Sequence, residues 1–226
     1  PTTNAGLLAF DADGARHPGW QLAVLAGPPI TTTLLPQQAP ALADLDGDGR
    51  LETVVGLADG SVRAYRENGA PLWSYDLAQG RALFASEPAI GDVTGDGRPE
   101  ILFGAYSPGG SANSAAGLYG LDAAGQPLAG FPLSLPAETG ALQGIQAAPT
   151  LADLDRDGDI EILAASLAGT LYAWDLPAAY RPEAQPWPTG RHDLWRTGWT
   201  GGGPTRAVSP TAALPLRVYL PVLKRC

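Results

Sequence analysis

Oxygen-bearing side chains recur on alternate positions in three nine-residue segments of the sequence. These are residues 44–52, 92–100 and 153–161, which read DLDGDGRLE, DVTGDGRPE and DLDRDGDIE. Carboxylates this close repel one another unless a cation neutralises them. In a tight loop the side chains at positions 1, 3 and 5 converge, position 7 offers its carbonyl and an acid at position 9 closes the shell. Calcium binds several such oxygens at about 2.3–2.6 Å, so the pattern favours calcium in at least two of the loops.

The residues between the acids also fit a tight loop. Position 6 is glycine in every copy (Gly49, Gly97 and Gly158), which permits a sharp turn. Thr94 stands at position 3 of the second loop and offers a neutral oxygen, so we expect a lower affinity there. The alternative is that each loop is tied only by Asx-type hydrogen bonds to its own backbone.

An EF-hand interpretation of the same acids fails. An EF-hand needs a ligating Glu at position 12 and flanking helices. Position 12 is Val55, Phe103 or Ala164, and the residues after position 9 form short apolar runs. Such runs are typical of buried strands.

Composition narrows the class of protein. The 226 residues carry a formal net charge of −9, and 12 of the 23 acids lie in the three loops. This acidity argues against a nucleic-acid partner, which needs clustered Lys and Arg. No apolar run reaches the length of a membrane span, and the only cysteine is the last residue, Cys226, so no internal disulfide can form. The chain begins with Pro1 and has no Met, so we expect a piece of a longer precursor.

The elements that position the loops repeat with them. A proline precedes each loop by four residues (Pro40, Pro88 and Pro149), and a short apolar strand, a glycine and a second strand follow. Both faces of the second strand are largely apolar, so we expect both to be covered. Strands with loops at this spacing predict one four-stranded blade per repeat, and hence an all-β fold of the β-propeller class.

The repeats predict a division of the chain. Its predicted parts are the tail strands of an upstream blade (1–28), blades at 29–84, 85–140 and 141–200, and a Gly/Pro linker with a short C-terminal strand or tail (201–226). An insertion at 106–116 lengthens the middle blade. We expect about three and a half blades, the C-terminal part of a larger ring whose remaining blades belong to the same precursor.

Two segments near the end of the chain stay open to interpretation. Residues 186–199 are dense in Trp and Arg, which indicates either a cap on the last blade or an aromatic ligand platform. The apolar run 214–223 could pair with a sheet edge or serve as a surface-sorting tag.

The units at 40–52, 88–100 and 149–161 resemble FG-GAP/VCBS repeats, which form the blades of integrin-α-like propellers and of many secreted bacterial proteins. Residues 103–105 (Phe-Gly-Ala) keep only part of the family's Phe-Gly and Gly-Ala-Pro element, which favours the bacterial branch over integrins proper. The resemblance covers residues 5–200 and implies two to three bound Ca²⁺ ions. The ligands it implies are Asp44, Asp46, Asp48, Arg50 (carbonyl) and Glu52; Asp92, Thr94, Asp96, Arg98 and Glu100; and Asp153, Asp155, Asp157, Asp159 and Glu161.

The sequence offers little for catalysis. It has two histidines, His17 and His192, and lacks a nucleophile elbow, a phosphate loop and a zinc-protease motif. We therefore expect a non-enzymatic, calcium-binding module outside the cell or at its surface, which mediates adhesion or binds an unidentified protein or glycan. The alternatives are an accessory or catalytic propeller of a secreted hydrolase or polysaccharide lyase, with its active residues outside this chain, and a structural spacer.

Overall fold

The computed structural model describes residues 7, 9–10, 13–15, 17, 38–57, 59–107, 115–135, 143–193 and 196–198. Twelve strands run through these residues. They are β1 (Ala41–Ala43), β2 (Glu52–Gly56), β3 (Ser61–Tyr65), β4 (Pro71–Asp76), β5 (Phe84–Ala85), β6 (Ala89–Gly91), β7 (Glu100–Tyr106), β8 (Gly117–Leu121), β9 (Leu133–Ser134), β10 (Thr150–Ala152), β11 (Asp159–Ala165) and β12 (Leu171–Ala179). A short 3-10 turn, Pro182–Ala184, follows β12.

The strands form three antiparallel sheets. The first sheet has the order β1-β2-β3-β4, the second has β6 and β5 both paired with β7 and continues through β8 to β9, and the third has the order β10-β11-β12. Turns with a glycine in the left-handed region, such as Gly69, join the strands. The all-β prediction is confirmed.

The sheets stack face against face. Along β7, Ile101 and Phe103 pack with residues of the first sheet, whereas Leu102 between them packs with residues of the third. This alternation follows from the two-residue period of a strand. The second sheet is therefore covered on both faces, as its apolar sequence predicts.

The outer strand of the third sheet departs from that expectation. Leu171 in β12 aligns with the fully buried Val62 and Leu118, yet 47% of its surface is exposed. In the described part of the chain no further sheet follows β12 to cover this face. The apolar character of Leu171 alone could not reveal the missing neighbour.

The far face of the first sheet contacts the beginning of the chain. Leu7 and Ala9 pack against Val55, Leu57 and Tyr65. The backbone N–H of His17 donates to the carbonyl of Ala9 at 2.9 Å, which is the geometry of a hairpin. Of the predicted upstream blade tail, only residues 7, 9–10, 13–15 and 17 are described, and residues 108–114 of the 106–116 insertion lie outside the described residues.

After the 3-10 turn the chain returns to β6 of the second sheet and β10 of the third. We call residues 184–191 the strap. The backbone of Trp187 exchanges two hydrogen bonds with Ile90 in β6, at 2.8 and 3.0 Å, and the carbonyl of Pro188 accepts from Leu151 in β10 at 2.8 Å. The strap therefore links two sheets. Within the described ranges, no helix has the length and apolar character that a membrane span requires.

Candidate metal centres

Each acidic loop joins two strands that pair with each other in the same sheet, and the same register recurs three times. The partners that close the loops are Ala43 with Glu52, Gly91 with Glu100, and Ala152 with Glu161. The residue before position 1 therefore always lies opposite the glutamate at position 9. This pairing folds the intervening residues back on themselves, and in the second and third loops the carboxylates of positions 1 and 9 belong to one cluster.

The glycines of the loops have the conformation that the sequence predicts. Gly49, Gly97 and Gly158 have φ values of +85°, +84° and +98°. Position 4 also has positive φ in every copy. It is glycine in two loops but Arg156 in the third, with φ of 66°, a conformation that costs a non-glycine residue on the order of 1 kcal/mol.

Each loop gathers three acidic side chains. Within each set, one carboxylate oxygen per residue lies within 4.8 Å of the others. The sets are Asp44, Asp46 and Asp48; Asp92, Asp96 and Glu100; and Asp153, Asp155 and Glu161. Two oxygens bound to one Ca²⁺ at about 2.4 Å can be at most about 4.8 Å apart, so the spacing fits a shared calcium ion.

The position-9 glutamates are buried in all three loops. Glu52, Glu100 and Glu161 are 1%, 2% and 5% exposed. One oxygen of each accepts the backbone N–H of position 2: Leu45 at 2.9 Å, Val93 at 2.8 Å, and Leu154.

Burial of these carboxyls changes their acidity. Desolvation, with smaller contributions from Asp96 and Asp92, raises the pKa of Glu100 to about 7, although the N–H of Val93 acts in the opposite direction. Desolvation also raises the pKa of Glu52 and of Glu161. A carboxylate that is costly to ionise alone is ionised readily beside a divalent cation.

Asx-type hydrogen bonds are present as well. Asp44 accepts the backbone N–H groups of Gly47, Asp48 and Gly49, and Asp48 accepts that of Arg50 at 2.8 Å. These bonds shape the loop and, because a carboxylate has about four acceptor sites, leave acceptor capacity for a cation. The two interpretations of the acidic pattern are thus compatible.

The third loop contains two buried carboxylate oxygens that accept no hydrogen bond from the described part of the chain. Oε1 of Glu161 and Oδ1 of Asp153 are buried, and neither atom has a hydrogen-bond partner among the described residues. A buried, unpartnered carboxylate oxygen costs free energy unless a cation or donor meets it. Both residues belong to one cluster, so their chemistry and placement fit a calcium ion.

The other two loops have partners of their own. In the first, Nη1 of Arg66 lies 2.7 Å from Oδ2 of Asp46 and acts as a built-in counter-ion. In the second, the Thr94 hydroxyl donates to Oε1 of Glu100 at 3.3 Å. Neither contact is visible in the spacing of the sequence, because Arg66 comes from the turn after β3, twenty residues away from Asp46.

The remaining predicted ligands lie around the clusters. Glu52 is outside the first set, and Asp157 and Asp159 are outside the third. Asp157 accepts the N–H of Asp159 at 2.9 Å, and the Arg98 N–H donates to Asp96 at 2.8 Å. The ligand roles of these residues and of the Arg50 and Arg98 carbonyls stay predictions.

The aromatic segment near the end of the chain is built into the core. Trp187 is 2% exposed, and its ring meets that of His192 edge to face with centroids 5.1 Å apart. This burial favours the cap over the ligand platform. Trp195 and Trp199 lie outside the described residues.

Comparison with known proteins supports the sequence interpretation. Residues 30–103 match the family described as FG-GAP-like repeat, which confirms the predicted resemblance over the first and second loops. The fold is similar to that in the crystal structure of the Pseudomonas aeruginosa PilY1 C-terminal domain, with a TM-score of 0.50 and 23% identity over 77% of this chain. This chain spans 37% of that one. A comparison with curated proteins finds no match. The chain is thus an all-β, propeller-like module with an FG-GAP-like repeat, whereas its blade number stays a prediction.

Proposed function

We propose that the chain is a calcium-binding β-propeller module that acts outside the cell in adhesion or in binding a protein or a glycan, without enzymatic activity. The observation that carries the proposal is the pair of buried, unpartnered oxygens in the third loop, Oε1 of Glu161 and Oδ1 of Asp153. The same strand register supports it in the first and second loops.

The donor chemistry favours calcium over other metals. The three clusters consist of carboxylates alone, and hard oxygen donors select Ca²⁺, Mg²⁺ or Mn²⁺ over Zn²⁺ or Cu²⁺. Magnesium demands near-ideal octahedral geometry, whereas calcium accepts six to eight oxygens in flexible arrangements. Irregular loops that combine buried and exposed carboxylates therefore suit calcium.

An extracellular location follows from the affinity expected of such loops. Exposed carboxylates and a counter-ion such as Arg66 weaken a site, and extracellular modules typically bind calcium with dissociation constants of about 10⁻⁴–10⁻³ M. Calcium outside cells would fill these sites. Bound calcium would neutralise the excess negative charge and hold the ends of the two strands that each loop joins, which gives the module a preorganised surface for a partner.

Thermal unfolding with calcium or with a chelator tests the metal component. Calcium should raise the melting temperature by mass action, and Asp44→Ala or Asp153→Ala should reduce the shift. Asp76→Ala is the matched control, since Asp76 caps a turn through Gln79 at 2.8 Å outside all three clusters. An unchanged melt in chelator would reject calcium binding.

Arrays of glycans and of extracellular proteins, probed with and without calcium, test the adhesive role. Binding to none would favour a structural spacer.

A further inference from the structure

The strap is seated in a site built for its side chains. Gln185, Trp187 and Thr189 are 6%, 2% and 5% exposed. The Thr189 hydroxyl lies 2.8 Å from that of Thr150 in β10. A Cβ at Gly91 in β6 would overlap the side-chain amide of Gln185, so this strand position accommodates Gln185 only because it is glycine. The strap is therefore packed into the folded core beside β6 and β10.

One residue joins the strap to the second acidic loop. The backbone N–H of Asp92 donates to the carbonyl of Ala184 at 3.0 Å, and the carbonyl of Asp92 accepts from Nε2 of Gln185 at 3.2 Å. Both the backbone N–H and the backbone carbonyl of Asp92 are therefore hydrogen-bonded to the strap.

The carboxylate of the same residue belongs to the candidate metal site. Oδ1 of Asp92 accepts from Gly95 at 2.7 Å and Oδ2 from Gly97 at 3.0 Å. The carboxylate also clusters with Asp96 and Glu100, and Asp92 is only 4% exposed. With its main chain held by the strap and its side chain fixed by the loop, Asp92 has little freedom to move without disturbing both.

On the basis of the proposed calcium function, we infer that Gln185 is a positioning residue for the second metal site. The strap holds Asp92 where its carboxylate meets those of Asp96 and Glu100. Calcium binding in the loop 92–100 and docking of the strap then stabilise each other, because a coupling free energy between two binding events is reciprocal. The aromatic C-terminal segment acquires a role beyond capping, since it makes the calcium affinity of one loop depend on a segment some ninety residues away.

A variant with the second site isolated tests the inference. Asp48→Asn/Asp155→Asn removes one exposed member of the first cluster and one of the third, and Asn can keep the hydrogen bonds that each carboxylate accepts from the backbone, at 2.8 and 3.1 Å. In this background we expect Gln185→Ala to weaken calcium binding, measured by calorimetric titration, about fivefold, the effect of one ordinary hydrogen bond.

Two controls distinguish positioning from general damage to the fold. In an Asp96→Asn/Asp155→Asn background, which removes one member of the second cluster and one of the third and leaves the first site, Gln185→Ala should change the calcium affinity less than about twofold, because the strap's contact is with Asp92. Gln126→Ala, an exposed glutamine in a turn, should change neither affinity.

Hydrogen exchange provides a readout that needs no Gln185 variant. In the Asp48→Asn/Asp155→Asn protein, calcium should slow exchange of the strap amides, including that of Trp187, at least about threefold. Adding Asp96→Asn should abolish the effect.

The outcomes separate this inference from the proposed function. Calcium binding in the second loop with unchanged affinity in Gln185→Ala, or with unchanged exchange in the strap, would overturn the inference and leave the calcium proposal intact. Failure of the isolated second loop to bind calcium at all would overturn both for that loop.

Discussion

Replacing Glu161 by glutamine should stabilise the protein without calcium and destabilise it with calcium. In the metal-free state Glu161 is a 5% exposed carboxylate with an unpartnered Oε1, and three aspartates of the loop add their charges. Glutamine is nearly the same size and can still accept the N–H of Leu154. Its amide group also supplies a donor where the carboxylate has none, in the cluster that contains Asp153.

The two effects can be sized separately. Leaving a buried polar atom unsatisfied costs about 1–3 kcal/mol, so Glu161→Gln should raise the free energy of unfolding of the metal-free protein by about 1–2 kcal/mol. At a calcium concentration a hundred times the dissociation constant, one site contributes about 2.7 kcal/mol. Loss of that contribution outweighs the gain, and the variant should be less stable than the wild type by about 0.7–1.7 kcal/mol when calcium is present.

Urea unfolding at pH 7.5, in chelator and in excess calcium, measures both values. Glu183→Gln, which removes an exposed glutamate outside the clusters, is the matched control and should change neither. The reasoning would be refuted if Glu161→Gln destabilised the metal-free protein, or if it kept the full stabilisation by calcium.

Three further predictions concern other residues. Arg66→Ala should tighten calcium binding in the first loop about threefold to tenfold at low salt, because it frees Asp46 from its 2.7 Å ion pair; calorimetry that shows equal or weaker affinity contradicts this. The pKa of Glu100 is raised from 4.5 to about 7, so between these pH values the folded metal-free protein holds a proton that the unfolded chain releases. Glu100 should therefore contribute its full stabilisation below about pH 4.5, and this contribution, up to about 3 kcal/mol, should be lost as the pH rises to about 7. Glu100→Gln should flatten that decline in urea titrations, and an equal decline in the variant would refute the assignment. Gly104→Ala should cost about 1–3 kcal/mol, because the new Cβ would overlap the backbone carbonyl of Ile145; a melting temperature equal to that of the wild type would show that this close approach is relaxed in solution.

Local signals in the sequence were sufficient for the loops and their strands. Spacing alone places Asp44, Asp92 and Asp153 in equivalent turns, and the apolar runs after each position 9 become β2, β7 and β11. Both features arise within about fifteen residues, where turn chemistry and the two-residue period of a strand dominate.

Contacts between distant parts of the chain carried no such signal. Gln185 donates a hydrogen bond to Asp92, which lies 93 positions earlier in the chain. The backbone pairing of Trp187 with Ile90 is likewise not indicated by the loop spacing or by the alternation of apolar residues. Leu171 has the sequence of a covered position but lacks a neighbouring sheet in the described ranges. Whether an apolar residue is buried depends on what packs against it, which a local pattern does not encode.

The central claim is that the acidic loops bind calcium, at least two of the three, each between two paired strands of one sheet. A crystal structure grown in about 10 mM CaCl₂, with data collected for the anomalous signal of calcium, tests it most directly. We predict anomalous peaks in two or three loops, including the third, with carboxylate oxygens at about 2.3–2.6 Å. Loops that contain only water under these conditions, with the same strand register, would contradict the account.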